Sequence, residues 1–280
     1  MRVGMTRAFG ADLHKFVSAS TGNRFTAFLS GIGVTALLQS STATALIVAA
    51  FCGRGIIKLG AGLALILGAD VGTTLVAQAL SFDLSWLAPL LMIAGYIMFS
   101  VFRRAGKLEH IGKFLMGLAL MLFALSWIKQ SAGPLQDSDV LKVVLQSLEK
   151  DPILAVLLTA LLTWLAHSSL AIVLLLVSFV VSGVIPVHVG LVMVLGANLG
   201  GVFAPIFATM KGNREGCRIP VGNLIMRLIG VVACLPFIDL IYGWIVDLGD
   251  DPARIIVNFH TAFNVALALV FLPFTSVVAR

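Results

Sequence analysis

Two short polar stretches interrupt long apolar segments of this chain, and their residue types suit the binding of ions. The first is Gln39, Ser40, Ser41 and Thr42, within a run that carries no charge from 25 to 53. The second is His167, Ser168 and Ser169. Ser and Thr hydroxyls donate hydrogen bonds to oxyanions, while their lone pairs, with free backbone carbonyls, ligate hard cations such as Na⁺. The two stretches therefore predict a joint anion and cation site.

The composition around these stretches is that of an integral membrane protein. Of 280 residues, 59% are apolar and 11% are charged, whereas soluble domains carry about 25% charged residues. The net charge of +6 comes from Lys and Arg in a few short segments, which indicates membrane topology and no nucleic-acid partner. We expect a multi-pass protein of the cell inner (plasma) membrane, with the lipid bilayer as a partner; the sequence leaves its oligomeric state open.

The chain contains an internal duplication. When it is shifted by 128 positions, 39–72 aligns with 167–200 without a gap, and 13 of the 34 pairs are identical. Shared apolar composition alone gives about two or three identities. We expect an all-α membrane protein with two inverted repeats, each a re-entrant helical hairpin followed by about three spans. The predicted parts are a first repeat 1–130 (N-terminal interfacial segment, hairpin 24–53, spans 55–80, 84–102 and 111–128), an extracytoplasmic linker 131–151, and a second repeat 152–280 (hairpin 152–182, spans 183–210, 219–246 and 255–278).

The first segment of each repeat is too long for one span and is cut by polar residues. Each half of the first segment reaches only about 20 Å as a helix, less than the roughly 30 Å hydrocarbon core. A re-entrant hairpin fits this length. Hairpins also place all basic loops on the cytoplasmic side, if the two repeats have opposite orientation. Inverted repeats with broken helices are the architecture of many secondary transporters.

The hairpin tips are predicted to meet near the midplane of the membrane. Helices that restart at Thr42 and Leu170 would direct their unpaired N–H groups and positive dipole ends at one shared volume. Such ends bind anions without a full positive charge. The alternative is that these Ser and Thr residues only hydrogen-bond neighbouring helices together.

A second paired motif follows each hairpin: LGADVGTT at 67–74 and LGANLGGV at 195–202. The glycines suggest a second helix break, at which Asp70 and Asn198 would supply oxygen ligands. An intramembrane Asp is costly and is therefore a functional candidate. The alternative is a protonated or hydrogen-bonded Asp that ties helices together.

Two later helices carry secondary candidates at i,i+4 spacing, which places each pair on one helix face. Asn223 pairs in this way with Arg227, and His260 with Asn264. Arg227, about 12 Å from the expected helix start, suits a topological anchor that snorkels to the cytoplasmic surface, and a substrate contact is the alternative. His260 suits a packing residue or a cavity residue equally. His167 could donate to an anion or carry a proton.

These motifs together resemble the sodium-dependent phosphate cotransporter family, the bacterial Na/Pi symporters related to the animal type II carriers. The resemblance rests on the QSS tip and its HSS counterpart, the GADVG and GANLG motifs, and the late HTAFN. It implies Na⁺-coupled symport of inorganic phosphate by a transporter that is not an enzyme and uses Na⁺ but no other cofactor. The implied phosphate site is Gln39, Ser40, Ser41, Thr42, His167, Ser168 and Ser169. The implied sodium site is Ser40, Ser168, Asp70, Thr73 and Asn198.

The chain also departs from the family pattern. Family members usually have glutamine at both tips, asparagine at the position of Asp70, and Gly-Thr-Thr where this chain has Gly200-Gly201-Val202. They usually also have an upstream helix and often a downstream regulatory domain, so we expect a fragment or a minimal version. The departures leave open the stoichiometry, the involvement of protons, and three alternative functions: a passive phosphate channel or exporter, a non-transporting phosphate sensor, and a membrane hydrolase, for which no typical motif is present.

Overall fold

The described part of the chain is all-helical. The structure is a computed structural model and describes residues 22–82, 84–102, 106–131, 138–247 and 251–279. The expected N-terminal interfacial segment lies almost wholly outside these residues. The helices are α1 (Arg24–Leu38), α2 (Ser41–Gly53), α3 (Leu59–Leu80), α4 (Leu87–Val101), α5 (Lys107–Ser131), α6 (Asp139–Lys150), α7 (Pro152–Ala166), α8 (Ser169–Val181), α9 (Val187–Thr209), α10 (Arg214–Cys234), α11 (Ile238–Val246), α12 (Pro252–Phe271) and α13 (Thr275–Val278).

Five helical segments of the described chain are long and apolar enough to cross a membrane: Leu59–Leu80, Lys107–Ile128, Val187–Thr209, Arg214–Val246 and Pro252–Val278. The last two contain a single 3₁₀ turn, at Leu235–Phe237 and Leu272–Phe274. The predicted span 84–102 forms the 15-residue α4, about 22 Å long. Part of the predicted linker 131–151 forms α6. The described part of the chain is therefore confirmed as all-helical, with membrane-length helices.

The two polar stretches break their helices with the same backbone geometry. Gln39 (φ 52°, ψ 32°) and His167 (φ 54°, ψ 25°) are left-handed, a conformation that ends a helix. Ser40 and Ser168 follow in nearly identical extended conformations, and each side chain accepts a hydrogen bond from the N–H three residues later. The next helices therefore begin at Ser41 and Ser169, one residue earlier than predicted.

At the first break the chain folds back on itself. The hydroxyl oxygens of Thr35 on α1 and Thr44 on α2 lie 2.8 Å apart, although nine residues separate them in sequence. In a continuous helix nine residues span about 13 Å. The helix axis therefore reverses sharply between the two threonines.

Glycines bring the first and third helices of each copy into backbone contact. A methyl group on Gly68 would overlap the carbonyl oxygen of Phe28, and one on Gly196 would overlap that of Val156. The contact pairs are related by the same shift of 128 positions that aligns the sequences. The duplication seen in the sequence is thus repeated in the packing of α1 on α3 and of α7 on α9.

A second correspondence, with a shift of 37 positions, relates α10 to α12. Each helix is followed directly by the tripeptide Leu-Pro-Phe, which forms a 3₁₀ turn in each case. Ile219 lies against Gly62 of α3, and Ile256 lies against Gly190 of α9. The predicted division of the chain did not include this relation. α10 completes the first copy of the core although it lies in the second half of the sequence.

Residue contacts also give the relative directions of these helices. Along α3 and α10 the contacting residue numbers rise together, from Gly62 with Ile219 to Asp70 with Arg227. These two helices therefore run in the same direction. By contrast, a short turn over 210–213 joins α9 to α10, and Arg227 contacts Asn198 of α9. Helices α9 and α10 therefore run in opposite directions.

Candidate functional site

A buried ion pair lies where the two copies of the core meet. The Arg227 guanidinium contacts both carboxylate oxygens of Asp70, with Nη2 2.5 Å from Oδ1 and Nε donating to Oδ2 at 3.2 Å. Each residue is 4% exposed. Arg227 Nη1 also donates to the backbone carbonyl of Asn198. Two-point Arg–carboxylate contact is the geometry by which buried charges compensate each other.

The interpretation of Arg227 as a snorkelling anchor is wrong. The prediction placed the start of its helix near 219, whereas α10 begins at Arg214. Arg227 therefore lies about 20 Å along the helix, too deep to reach the surface next to that end. Its side chain points to Asp70 in the protein interior, so Arg227 joins the candidate site.

A narrow cavity of about 10 Å³ adjoins the ion pair, enough for about one water-sized particle. Its polar lining comes from α2, α3 and α10. Both copies contribute, because Gly201 and Pro205 of α9 also reach it. The polar lining residues are Ser41, Thr42, Asp70, Asn223 and Arg227.

Ser169, at the start of α8, approaches Arg227 across Gly201. A methyl group built on Gly201 would lie 3.4 Å from Ser169 Oγ and 3.6 Å from Arg227 Nη1. The side chain of Ser169 is buried, at 7% exposure. The first residues of α2 and α8 thus both reach the surroundings of one guanidinium.

The predicted second helix break is wrong. Helices α3 and α9 run without interruption through Asp70 and Asn198. Polar side chains near these positions bond to their own helix: Thr73 Oγ1 donates to Ala69 O at 3.1 Å, and Asn198 Nδ2 to Val194 O at 2.9 Å. The adjacent glycines serve close helix packing. Asp70 therefore projects from an intact helix, and no free carbonyls from a break accompany it.

The second copy contains an uncharged equivalent of the ion pair. Asn198 corresponds to Asp70 by the shift of 128, and Asn264 corresponds to Arg227 by the shift of 37. Asn264 Nδ2 donates to Asn198 Oδ1 at 3.0 Å and to His260 O at 2.8 Å. Asn264 Oδ1 and His260 Nδ1 are buried and have no hydrogen-bond partner among the described residues. The secondary candidates His260 and Asn264 thus lie together in the interior.

The remaining tip residues have other contacts. The hydroxyls of Ser40 and Ser168 cap the N-termini of α2 and α8, accepting from Ala43 N and Ala171 N. Gln39 Oε1 is buried without a partner in the described part of the chain. His167 is exposed, and its Nδ1 lies 3.0 Å from Leu165 O. Among the predicted residues, the structure joins Ser41, Thr42, Asp70, Asn223 and Arg227 at one cavity and adds Ser169 beside Gly201. Gly201 is not among the predicted site residues, although it lies in the Gly200-Gly201-Val202 motif of the second repeat.

The fold and this site define a polytopic helical membrane protein with paired broken helices around a buried charged site, features typical of ion-coupled transporters. The chain belongs to the Na⁺/Pi-cotransporter family, which it matches over residues 1–130 and 136–241. The resemblance drawn from the motifs is therefore confirmed.

Two groups of relatives resemble the whole chain. It is 38% identical over 280 residues to the "Putative inorganic phosphate export protein YjbB" of Escherichia coli K12, of which it covers 51%. It is 29% identical over 280 residues to the "Uncharacterized protein YqeW" of Bacillus subtilis, of which it covers 91%. The chain thus spans about half the length of the former relative. No solved structure matches the chain significantly.

Proposed function

We propose that this protein carries out Na⁺-coupled transport of inorganic phosphate across the cell membrane. Membership of the Na⁺/Pi-cotransporter family supports both the substrate and the coupling ion. The name of the Escherichia coli relative, which refers to inorganic phosphate export, supports the same substrate. The buried polar site supports a small-ion substrate, because charged groups at membrane depth mark ion pathways.

One observation carries the proposal: the starts of α2 and α8 both lie beside Arg227. Ser41 and Thr42 share a cavity with this guanidinium, and Ser169 lies next to it across Gly201. Helix N-termini, hydroxyl groups and a guanidinium are the donors that bind phosphate oxygens. Gln39, Ser40, His167 and Ser168 shape the two tips and complete the proposed phosphate site.

For Na⁺ we propose Asp70 as the central ligand. It is the carboxylate of the described cavity, and Ser41, Thr42 and Asn223, whose side chains carry hydroxyl and amide oxygens, line the same cavity. Oxygen ligands of this kind suit hard cations. Ser40, Ser168, Thr73 and Asn198 remain proposed sodium residues, and the side-chain oxygen of each already takes part in a hydrogen bond.

We propose that α1–α2 and α7–α8 are re-entrant hairpins in two inverted repeats. The contact of Thr35 with Thr44 supports the reversal in the first. The inversion is supported because α3 runs with α10 and α10 runs against α9, so that α3 and α9 have opposite directions. In the transport cycle, Na⁺ orders the tips, phosphate docks on the helix starts, and the hairpins move against the other helices to change access.

The test is phosphate flux in proteoliposomes in which Na⁺ and pH gradients are set independently. We expect an inward Na⁺ gradient to drive uptake of labelled phosphate above its equilibrium level, and dissipation of the gradient to abolish this accumulation. Phosphate binding without flux would indicate a sensor. Absence of both binding and flux contradicts the proposed function.

Export is a second candidate, favoured by the name of the Escherichia coli relative. The same residues serve either direction, because direction depends on the gradients and on which loaded states can reorient. Efflux from phosphate-loaded vesicles distinguishes the two. An exporter that ignores Na⁺ would equilibrate phosphate at the same rate in sodium and in choline.

A further inference from the structure

We infer that the Asp70–Arg227 ion pair is an exchange element: Na⁺ takes over Asp70 while phosphate takes over Arg227, so that the two ions bind together. This inference rests on the proposed function and assigns the coupling step to one pair of side chains. The pair joins α3 of the first copy to α10, and it is neutral as a whole.

The first argument concerns charge. Asp70 and Arg227 are each 4% exposed, so water contributes little to the solvation of either ion. If phosphate entered this site alone, it would leave an uncompensated negative charge, and Na⁺ alone would leave a positive one, both of which are costly in the interior. Entry of both ions gives each resident charge a new counter-ion. The ion pair therefore favours joint binding over binding of either ion alone.

The second argument concerns hydrogen-bond donors. A guanidinium offers five N–H donors in a fixed plane. In Arg227, Nε and Nη2 face Asp70, and Nη1 donates to the Asn198 carbonyl. Two-point binding of a phosphate needs a pair of adjacent donors, and the Nε–Nη2 edge is occupied by the carboxylate. The other edge, Nη1–Nη2, has both of its nitrogens in contact with the Asn198 carbonyl or Asp70. Phosphate can therefore bind the Nε–Nη2 edge only when Asp70 leaves it.

The third argument concerns the space beside Asp70. The cavity of about 10 Å³ accepts one water-sized particle and is too narrow for a phosphate. Asn223 Oδ1, which has no hydrogen-bond partner among the described residues, lies on a side chain that lines this cavity. The Asn223 side chain is buried, with the residue 5% exposed. A Na⁺ ion thus fits beside Asp70 with an oxygen ligand at hand, whereas phosphate requires the ion pair to separate.

The experiment measures equilibrium binding of labelled phosphate to the purified full chain in detergent, in NaCl or in choline chloride of equal concentration. For the unaltered protein, Na⁺ should tighten phosphate binding by about tenfold or more, a typical coupling between two sites. Asp70→Asn removes the competitor. We expect this variant to bind phosphate in choline as tightly as the unaltered protein does in NaCl, with a change of less than about twofold on adding Na⁺.

Two further variants are matched to the structure. Asp239→Asn makes the same chemical change at an exposed carboxylate paired with His188, and it should retain the Na⁺ dependence. The double variant Asp70→Asn/Arg227→Asn gives the first copy the same amide pair that the second copy already accommodates at Asn198 and Asn264. This protein should fold and lose phosphate binding in both salts.

Folding is followed in the same samples by thermal unfolding. Phosphate in choline should raise the melting temperature of Asp70→Asn more than that of the unaltered protein, because a ligand stabilises the state that it binds. Asp70→Ser tests the same point if the asparagine variant is not folded.

The inference is overturned if Asp70→Asn keeps the full Na⁺ dependence, or if the double variant still binds phosphate. If the unaltered protein shows Na⁺-dependent phosphate transport in that case, the proposed function stands without the exchange element. If the unaltered protein neither binds nor transports phosphate, the proposed function fails first.

Discussion

At the scale of single residues, Arg227 is surrounded by polar groups from both copies of the core. Ser41 shares its cavity, Asp70 occupies one edge of the guanidinium, and Ser169 lies across Gly201. Two of the positions expected to depart from the family pattern, Asp70 and Gly201, therefore lie at the same guanidinium. Gly201 leaves room beside Nη1, and Asp70 supplies the counter-charge.

Replacement of either serine tests the predicted phosphate site. Ser41→Ala and Ser169→Ala each remove a hydroxyl donor close to Arg227, and each should lower phosphate transport in proteoliposomes by about tenfold, as expected when a buried site loses a polar partner. Ser178→Ala is the matched control, because the hydroxyl of Ser178 bonds to its own helix at Leu174 O. Unchanged flux in both site variants contradicts the assignment of these serines.

The space at Gly201 gives a second test at this scale. In Gly201→Ala the added methyl group would lie 3.3 Å from Ser169 Cβ and 3.6 Å from Arg227 Nη1. It should slow phosphate transport severalfold while the protein still folds, because it enters the approach between two site residues. Gly33→Ala, whose methyl group meets nothing within 4 Å, should transport normally. Equal flux in the two variants would show that phosphate does not use this approach.

The sequence predicted some of these residues better than others. Ser41, Thr42, Ser169 and Asp70 were recognisable because polar groups are costly in apolar segments. The depth of Arg227 was not recognisable from the sequence. An error of five residues in the start of a helix changes the position of a side chain along the helix axis by about 7 Å. Only the packed structure shows which partner faces that depth.

At the scale of helices, two local features position the site. The first is a left-handed residue followed by a capping serine, and the second is a set of glycines that allow close contact with the backbone of a neighbouring helix. The helix break was predicted, because a Ser pair inside an apolar run indicates one, but the left-handed residue and the capping role of the serine were not. The second was misinterpreted as a further break at Asp70 and Asn198. Glycine occurs both at helix breaks and where two helices pack closely. Which of the two applies depends on the neighbouring helix, and the sequence of one helix does not reveal that neighbour.

Helix packing should fail when these glycines gain side chains. In Gly68→Ala the methyl group would overlap the backbone of Phe28, and in Gly196→Ala that of Val156. A backbone segment cannot move aside as a flexible side chain can. The free energy of unfolding of each variant should therefore fall by about 1–3 kcal/mol or more. Thermal unfolding in detergent measures the loss. Gly33→Ala is the control, and equal stability of all three variants would contradict the packing described for α1 with α3.

At the scale of the whole molecule, the two copies are interlocked. The first copy, α1–α3, is completed by α10, and the second, α7–α9, by α12. The copies touch each other where Gly230 of α10 meets Leu267 of α12, two positions that are themselves related by the shift of 37. The shift of 128 was evident from sequence identity. In the sequence, the shift of 37 preserves little beyond the Leu-Pro-Phe tripeptide. The relation between α10 and α12 therefore becomes clear only from their equivalent contacts in the structure.

The proposed inversion predicts opposite labelling of equivalent residues. Lys58 and Pro186 are exposed, immediately precede α3 and α9, and are related by the shift of 128. In a cysteine-free background, Lys58→Cys and Lys211→Cys should react with an impermeant maleimide from the cytoplasmic side, and Pro186→Cys from the opposite side. Asn213 donates to Gly53 O at 2.8 Å. The loop that contains Lys58 and the loop that contains Lys211 therefore lie at the same end of the protein. Labelling of all three from one side contradicts the inversion.

The long sequence separation of the ion pair has a consequence for biosynthesis. Asp70 and Arg227 are 157 residues apart, and at about 5–20 residues per second a ribosome needs roughly 8–30 s to make that stretch. During this interval α3 has emerged with an acidic group whose insertion into lipid costs about 3 kcal/mol, and its basic partner has not yet been translated. The nascent first half therefore depends on protonation, on the translocon or on a shallow position until α10 arrives.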